Sequence, residues 1–311
     1  MPCINNKHIL QINNLSVAFT QYEQGLKQVE LKVIRDLNVS VHTGEIVAVV
    51  GSSGSGKSLL AHAILGILPP NCNAVGNVIF EDELLTSARI QELRGKKIVL
   101  VPQSVTYLDP LEKVGKQVRK EKDEESICKK QEELFAFYKL QQNVGELYPF
   151  ELSGGMARRV LLTTAMMESP RLIIADEPTP GLHLEAAKKA MRHFREFADK
   201  GNGVLLITHD IELALEVADR IAVFYAGTTV EEALVADFQS VDMLRHPYTK
   251  ALWRALPQNG FQPLPGNQPY VKDMPKGCSF GPRCLRFTPE CKGDIQEQTL
   301  RCGTVRCIHA E

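Results

Sequence analysis

The sequence lacks the features that would direct a chain into or across a membrane. No apolar run approaches the roughly eighteen residues that a membrane-spanning helix needs. The first residues, MPCINNKHIL, do not have the basic and then apolar build of a signal peptide. A net charge of −1, with acids and bases interspersed, gives no general excess of positive charge of the kind that binds nucleic acid. We therefore expect a protein of the cytoplasm without a nucleic-acid partner.

The sequence also lacks the regular cysteine framework of a secreted, disulfide-bonded protein. It has eight cysteines in 311 residues, and we expect them to stay reduced in the cytoplasm. The close C-x₂-C pairs that are usual in structural zinc sites are missing, yet thiolates select for iron–sulfur clusters or zinc. Bound iron–sulfur, bound zinc and unliganded thiols therefore all stay open for the five cysteines that crowd the C-terminal end: Cys278, Cys284, Cys291, Cys302 and Cys307.

What the sequence does have is a predicted phosphate site in the stretch EIVAVVGSSGSGKSLL, from Glu45 to Leu60. The apolar run Ile46 to Val50 has the length and the β-branched residues of a buried strand. The pattern GxxxxGK[ST] follows, in which glycines let backbone N–H groups surround an anion, the lysine adds positive charge and the hydroxyl binds Mg²⁺. An apolar helix comes next, and the positive end of its dipole faces the phosphates. The predicted nucleotide-binding residues are Gly51, Ser52, Ser53, Gly54, Ser55, Gly56, Lys57 and Ser58.

Alternating apolar and polar residues predict antiparallel strands over 8–20 and 30–45, on the N-terminal side of this loop. Phe19, in the first strand, has a flat ring that can stack on a nucleobase or lie in the core. Further strands are predicted over 76–81 and 96–103. Gln103 ends the second of them, where ligands gather in an α/β fold.

A charged stretch over 111–142 has apolar residues at helical intervals and predicts a small helical insertion. After it, Ser153, Gly154 and Gly155 precede a long apolar helix. The N-terminus of that helix is a second candidate for contact with phosphate.

Two more predicted strands end in polar side chains. RLIIADEPT ends in Asp176 and Glu177, and strand alternation points these carboxylates in opposite directions. One can hold Mg²⁺ while the other acts on an attacking water. The strand VLLIT delivers His209 to the same edge of the sheet, where its imidazole can contact a γ-phosphate.

Taken together, the order and spacing of these motifs resemble the ATP-binding subunit of an ABC transporter. The matching positions are Gly51–Ser58 for the Walker A loop, Gln103 for the Q-loop, Leu152–Met156 (LSGGM) for the signature, Asp176–Glu177 for Walker B, His209 for the switch histidine and Phe19 for the adenine-stacking aromatic.

The resemblance implies an α/β fold, that of a P-loop NTPase ABC nucleotide-binding domain over residues 1–240. This domain would have a parallel-sheet core, an antiparallel β subdomain and a helical subdomain at about 104–168. It also implies ATP and Mg²⁺ as ligands, with Ser58, Gln103 and Asp176 arranging the ion. Glu177, His209 and Gln103 would be catalytic, and Ser153–Gly155 would bind the nucleotide of a partner subunit.

The last part of the chain resembles one particular subfamily of these ATPases. The stretches HPYTKALWRALP (246–257) and GCSFGPRC (277–284) resemble the C-terminal region of the ATPases of oligopeptide, dipeptide and nickel importers. This resemblance implies a C-terminal, cysteine-rich extension over 241–311. It also implies a [4Fe–4S] cluster on Cys278, Cys284, Cys291 and Cys307, with Cys302 as a spare ligand and zinc as the alternative metal.

The resemblance further implies three kinds of partner: a second ATPase subunit in a heterodimer, two transmembrane permeases and an extracytoplasmic substrate-binding protein. It also implies that this chain lies at the cytoplasmic face of the cell membrane. The cargo would be an oligopeptide or dipeptide, with nickel or a metal chelate as the alternative. An ABC ATPase outside transport and a regulatory ATP-binding module are the other classes that stay open.

Three features depart from the family's usual pattern. The segment between Gln103 and the signature is short, and Met156 stands in place of the common Gln. After Walker B, the usual TALD-like D-loop reads PGLH, which puts His183 in the position of the Asp and changes the backbone at Pro180–Gly181. Because the D-loop crosses the dimer interface in this family, we expect an asymmetric pair of ATP sites.

Overall fold

Two β-sheets organise this chain, and the computed structural model describes it over residues 7–22 and 24–311. The strands are β1 (His8–Tyr22), β2 (Gln28–His42), β3 (Ile46–Gly51), β4 (Cys72–Phe80), β5 (Glu83–Leu84), β6 (Ile98–Val101), β7 (Leu172–Asp176), β8 (Gly203–Thr208), β9 (Arg220–Tyr225), β10 (Thr228–Leu234), β11 (Gln298–Leu300) and β12 (Gly303–Val305). The larger sheet has eight strands in the order β11-β12-β10-β9-β3-β8-β7-β6, and the smaller has four in the order β2-β1-β4-β5.

The helices connect and cover these sheets. They are α1 (Lys57–Ile64), α2 (Ser87–Leu93), α3 (Val114–Arg119), α4 (Glu125–Phe137), α5 (Gly154–Met167), α6 (Leu184–Asp199), α7 (Ile211–Val217) and α8 (Pro247–Arg254). Among the described residues, none of these helices combines the length and the apolar character needed to cross a membrane.

Strand β3 lies at the centre of the large sheet, with parallel neighbours β8 and β9. All six of its residues are buried. Ile46, Ala48 and Val50 pack into one hydrophobic cluster, and Val47 and Val49 pack into another. This alternation follows from the two-residue period of a strand that is covered on both faces. Because β3, β6, β7 and β8 are parallel, their carboxyl ends meet at one edge of the sheet.

The smaller sheet is antiparallel throughout, as predicted for the N-terminal strands. Its strand β2 runs close to the loop after β3, because a Cβ added at Gly56 would lie 3.2 Å from Ile34 and 3.6 Å from Val33. The small sheet therefore forms one wall beside the predicted phosphate site.

Helices α3, α4 and α5 lie between β6 and β7 in the chain and pack on one another. They fall within the predicted helical span of about 104–168, and their shared core includes Val118, Phe135 and Leu161.

The C-terminal extension joins the large sheet. Strand β12 pairs antiparallel with β10, and β11 pairs with β12. Arg245 fastens this junction, because its fully buried side chain forms ion pairs with Glu231 at 3.2 Å and Asp237 at 2.9 Å. It also donates hydrogen bonds to the carbonyl groups of Leu300 and Arg301, both at 2.7 Å. The division of the chain at residue 240 stays a prediction, since the sheet itself continues across it.

Candidate active site

The loop after β3 has the backbone that a phosphate cradle requires. Gly56 has a φ of 98°, a conformation that side chains disfavour. Gly51 is needed for a different reason, since a Cβ there would lie 2.3 Å from the carbonyl oxygen of Phe224 on the neighbouring strand. The prediction gave both glycines the same role. The structure instead assigns close strand packing to Gly51 and the left-handed turn to Gly56.

Lys57 begins α1 with a buried side chain. Its Nζ donates to the carbonyl oxygens of Gly51 at 2.8 Å and Ser52 at 3.0 Å. Burial lowers the pKa of Lys57, and the carboxylates of Glu177 and Asp176 oppose that shift. The ammonium group therefore lies over the loop, where its positive charge can bind an anion.

Ser55 gives an independent sign that the loop fits a phosphate ligand. Its Oγ is buried, and no hydrogen-bond partner for it exists among the described residues. A buried hydroxyl of this kind costs free energy unless a ligand or water satisfies it. Together with the cationic Lys57, it suits an anion rich in oxygen.

Asp176 and Ser58 form the part of the site that fits Mg²⁺. Ser58 donates from Oγ to Oδ1 of Asp176 at 3.2 Å, which joins the start of α1 to the end of β7. Burial raises the pKa of Asp176, and the neighbouring Glu177 raises it further. Carboxylate and hydroxyl oxygens are ligands that Mg²⁺ prefers, and a cation there would relieve the unfavourable charge of the two carboxylates.

Glu177 points to different partners from Asp176. Its Oε2 lies 2.9 Å from Nδ1 of His209 and accepts a hydrogen bond from Thr208 Oγ1 at 3.4 Å. The residue has a φ of 45°, and its N–H donates to the carbonyl oxygen of Ile207 at 2.9 Å. A non-glycine residue in this region is strained, and such strain concentrates at functional sites. The carboxylate is thus buried and aimed at the exposed imidazole.

An open cleft of 480 Å³ brings the predicted groups of this chain together. It is lined by Val33, Ser53, Gly54, Gly56, Lys57, Ser58, Leu59, Gln103, Glu177 and His209. These residues come from β2, from the loop after β3 with the start of α1, and from the chain at the carboxyl ends of β6, β7 and β8. The cleft can hold a polyphosphate between a buried lysine, hydroxyl groups and a carboxylate with its imidazole partner.

Two predicted groups lie elsewhere. Ser153, Gly154 and Gly155 stand at the exposed N-terminus of α5, and the Ser153 hydroxyl accepts from the N–H of Met156 at 3.3 Å. Phe19 is half-buried in β1 opposite Leu31 of β2, and it is not among the described residues that line the cleft. Its part in stacking adenine stays a prediction.

Sequence reasoning missed three residues that touch the site. Val33 lines the cleft, Thr208 supports Glu177, and Gln268 accepts a hydrogen bond from Ser52 at 2.6 Å. A threonine at the end of β8 could have been noticed beside His209. Gln268 gave no signal, because it is separated from Ser52 by 216 positions.

The four predicted cluster ligands lie in one region. Cys278, Cys284, Cys291 and Cys307 are free, and burial raises the pKa of Cys278 to about 11, with smaller contributions from Cys307 and Cys284. In residues 7–22 and 24–311, however, no three Cys, His, Asp or Glu side chains are arranged to hold a metal ion. The described residues therefore give no support to the predicted [4Fe–4S] cluster or to the zinc alternative, and we derive no step through either.

Cys302 corrects the expectation that all the cysteines stay reduced. It is disulfide-bonded, so it is not available as the spare ligand.

Comparison with protein families gives two matches along the chain. The ABC transporter family matches residues 34–180, which hold the phosphate loop, Gln103, the signature and Walker B. The oligopeptide/dipeptide transporter C-terminal region matches residues 230–291.

Curated relatives match over most of their length. The oligopeptide transport ATP-binding protein OppD of Haemophilus influenzae is 31% identical, with 96% of each chain covered. OppD of Lactococcus lactis is 34% identical over 87% of this chain and 84% of that protein. The dipeptide transport ATP-binding protein DppD of Bacillus subtilis is 32% identical over 96% of this chain and 94% of its own.

Solved structures agree on the fold. The bacterial ABC transporter cassette MJ0796, solved as a dimer, superposes with a TM-score of 0.64 at 25% identity. The match covers 73% of this chain and 98% of the cassette. The same cassette in a post-hydrolysis state bound to ADP and Pi gives a TM-score of 0.63 at 26% identity over the same shares.

Proposed function

Because this chain belongs to the ABC transporter ATP-binding proteins, among the oligopeptide and dipeptide transport subunits, we propose that it hydrolyses ATP to power the import of oligopeptides or dipeptides. The observation that carries the hydrolytic part is the buried Glu177 carboxylate, which lies in the same cleft as Lys57 and 2.9 Å from His209. The peptide cargo is inferred from the names of the relatives, which are oligopeptide and dipeptide transport proteins. None of these names favours nickel.

The proposed reaction is in-line attack of water on the γ-phosphate. Lys57 and the N–H groups of the loop hold the β- and γ-phosphates, where their charge is balanced in a buried setting. Ser58, Gln103 and Asp176 would hold Mg²⁺, which on binding supplies charge neutralisation at the phosphate oxygens. Glu177 orients the water and accepts its proton. His209, exposed beside it, steadies the γ-phosphate.

The test is Glu177→Gln in the assembled transporter. The amide keeps the size of the side chain but cannot accept the proton, so ATP binding should persist while turnover falls by about 10²- to 10⁴-fold. ATP binding and phosphate release are measured separately. Glu212→Gln serves as the matched control, because Glu212 is an exposed glutamate at the start of the nearby α7.

Wild-type turnover by the Glu177→Gln transporter would refute the assignment of hydrolysis to this chain's site. It would indicate that the partner's site hydrolyses ATP instead. A wild-type chain that binds ATP without any turnover in the transporter would favour a regulatory binding module instead.

The exposed signature supports a head-to-tail partner. Ser153–Gly155 lie outside this chain's own cleft, and a Cβ added at Gly155 would lie 3.3 Å from the carbonyl oxygen of Gly181 in the D-loop. The signature and the altered D-loop therefore form one surface, on which His183 is also exposed. We assign this surface to a related but unlike ATPase subunit, since a changed D-loop gives the two ATP sites different surroundings.

A second surface suits the permeases. A cavity of 400 Å³ lies between the large sheet and the helices of the 104–168 segment, with Ile67, Leu100 and Leu161 among its apolar lining. Tyr107, which also lines the cavity, is 53% exposed. Apolar residues left open next to a groove are typical of an interaction site. A permease bound here would hold the chain at the cytoplasmic face of the membrane, with the extracytoplasmic binding protein on the other side.

A further inference from the structure

The C-terminal extension reaches back and touches the phosphate loop. Ser52 donates from Oγ to Oε1 of Gln268 at 2.6 Å. The same oxygen accepts the backbone N–H of Ala226, at the turn between β9 and β10, at 3.3 Å. One side-chain carbonyl of the extension thus links the phosphate loop to the hairpin of the large sheet.

The chain just before Gln268 is held in place by Arg283, another residue of the extension. Arg283 donates from Nε to the carbonyl oxygen of Pro265 at 3.0 Å and from its terminal nitrogen to that of Leu264 at 3.2 Å. Its other terminal nitrogen donates to the hydroxyl of Tyr225 at 3.3 Å. An arginine with three such bonds fixes the path of the chain that carries Gln268.

A second residue of the extension, Tyr248, lies near the same serine. Burial raises the pKa of Tyr248, and the neighbouring Ser52 opposes that rise. The Tyr248 ring is buried on α8, with its centroid 4.5 Å from that of Tyr225 and 5.4 Å from that of Phe280. Two elements of the extension therefore lie beside Ser52, and the hydrogen bond that holds it comes from Gln268.

The anchored serine is part of the machinery that meets the nucleotide. Its carbonyl oxygen accepts from Lys57 Nζ at 3.0 Å, and the next two residues, Ser53 and Gly54, line the cleft. A loop that must present several N–H groups to one ligand binds more tightly when its conformation is fixed beforehand. Fixing Ser52 from outside does this without touching the ligand.

We propose that Gln268 is a positioning residue for ATP: by holding Ser52, it allows the C-terminal extension to set the conformation of the phosphate loop. This inference rests on the proposed function of the cleft. It gives the extension a direct role at the nucleotide site, in addition to the strands that it adds to the sheet.

The test is Gln268→Met in the full chain. Methionine fills a similar volume but has no acceptor for Ser52 or Ala226, and a net hydrogen bond is worth about fivefold in an equilibrium constant. We expect the Kd for Mg·ATP to rise by about fivefold. In the transporter, KM for ATP should rise similarly while kcat stays within about twofold, because Gln268 contacts no reacting atom.

Gln262→Met is the matched control, since Gln262 is an exposed glutamine in the same segment, and it should bind ATP like the wild type. A double-mutant cycle with Ser52→Ala then separates positioning from general damage. If Gln268 acts through Ser52, the loss in the double variant should equal that of one single variant.

Additive losses in that cycle, or an unchanged Kd for Gln268→Met in a chain with wild-type Tm, would overturn the inference. Failure of the wild-type chain to bind ATP would instead refute the proposed function, so the two outcomes are distinct.

Discussion

His246 caps α8 at the junction between the extension and the large sheet, and it makes the stability of that junction depend on pH. Its side chain is 1% exposed, and Nδ1 accepts the N–H of Tyr248 at 3.0 Å. Its backbone N–H donates to Glu231 Oε2 at 2.8 Å, and Glu231 is itself paired with Arg245. Phe280 packs beside the ring, with centroids 5.9 Å apart. Burial lowers the pKa of His246 from 6.5 to about 3.

The direction of the pH effect follows from this lowered pKa. In the unfolded chain the imidazole takes up a proton below pH 6.5, whereas in the folded chain it stays neutral down to about pH 3. The contribution to stability is therefore complete above pH 6.5 and is lost as the pH falls from 6.5 toward 3. Each pH unit in that range costs about 1.4 kcal/mol, so the step from pH 7 to pH 5 costs about 2 kcal/mol. For a chain of 311 residues this corresponds to about 3 °C in Tm.

The assay compares the wild type with His246→Asn by thermal unfolding at pH 7 and pH 5. Asn is a good N-cap residue and can still accept the N–H of Tyr248, but it does not titrate. The variant should therefore lose about 3 °C less than the wild type between the two pH values, whatever its Tm at pH 7. His183→Asn is the matched control, because His183 stands at the N-cap of α6, is exposed and makes no capping hydrogen bond. Equal losses in the wild type and His246→Asn would refute the reasoning.

Two further predictions concern turnover and assembly. Arg158→Met removes the hydrogen bonds that Arg158 of α5 donates to the carbonyl oxygens of Pro102, at 2.7 Å, and Gln103. ATP hydrolysis by the transporter should fall about tenfold at unchanged ATP affinity, whereas the exposed Arg192→Met should behave like the wild type; equal kcat in both variants would contradict this role. A cysteine at Ser53 should crosslink to a cysteine in the partner's signature when ATP is present, as seen by non-reducing electrophoresis, and a chain that stays monomeric with every nucleotide would contradict the head-to-tail dimer.

Much of the phosphate site could be predicted because its geometry is local. The buried strand before Gly51 and the helix after Lys57 lie within a few residues of the loop, so periodicity and loop chemistry define them together. Asp176 and Glu177 are adjacent in the chain, and alternation predicts their separate directions. The structure shows that separation, since Asp176 meets Ser58 and Glu177 meets His209.

The contacts made by the extension could not be predicted, because they depend on the path of irregular chain. Strands β11 and β12 have three residues each, which is too short for a periodic pattern. Gln268 lies in a segment without regular structure, and its neighbour in space is distant in sequence. Helix α8 was within reach of sequence reasoning, since Pro247 follows the capping His246 in the position that proline favours at a helix start.

Helix α5 connects the two nucleotides that the proposed dimer would hold. Its N-terminus is the predicted signature, which would face the partner's site, and Gly155 packs against the D-loop carbonyl of Gly181. One turn further on, Arg158 donates a hydrogen bond to the backbone carbonyl of Gln103, and Gln103 lines this chain's own cleft. A rigid helix that is fixed at both places cannot shift at one end without moving the other. The 400 Å³ cavity that we propose as the permease surface also has Leu161 of α5 in its wall. A permease that moved there would displace the same helix, and with it both ATP sites of the proposed dimer.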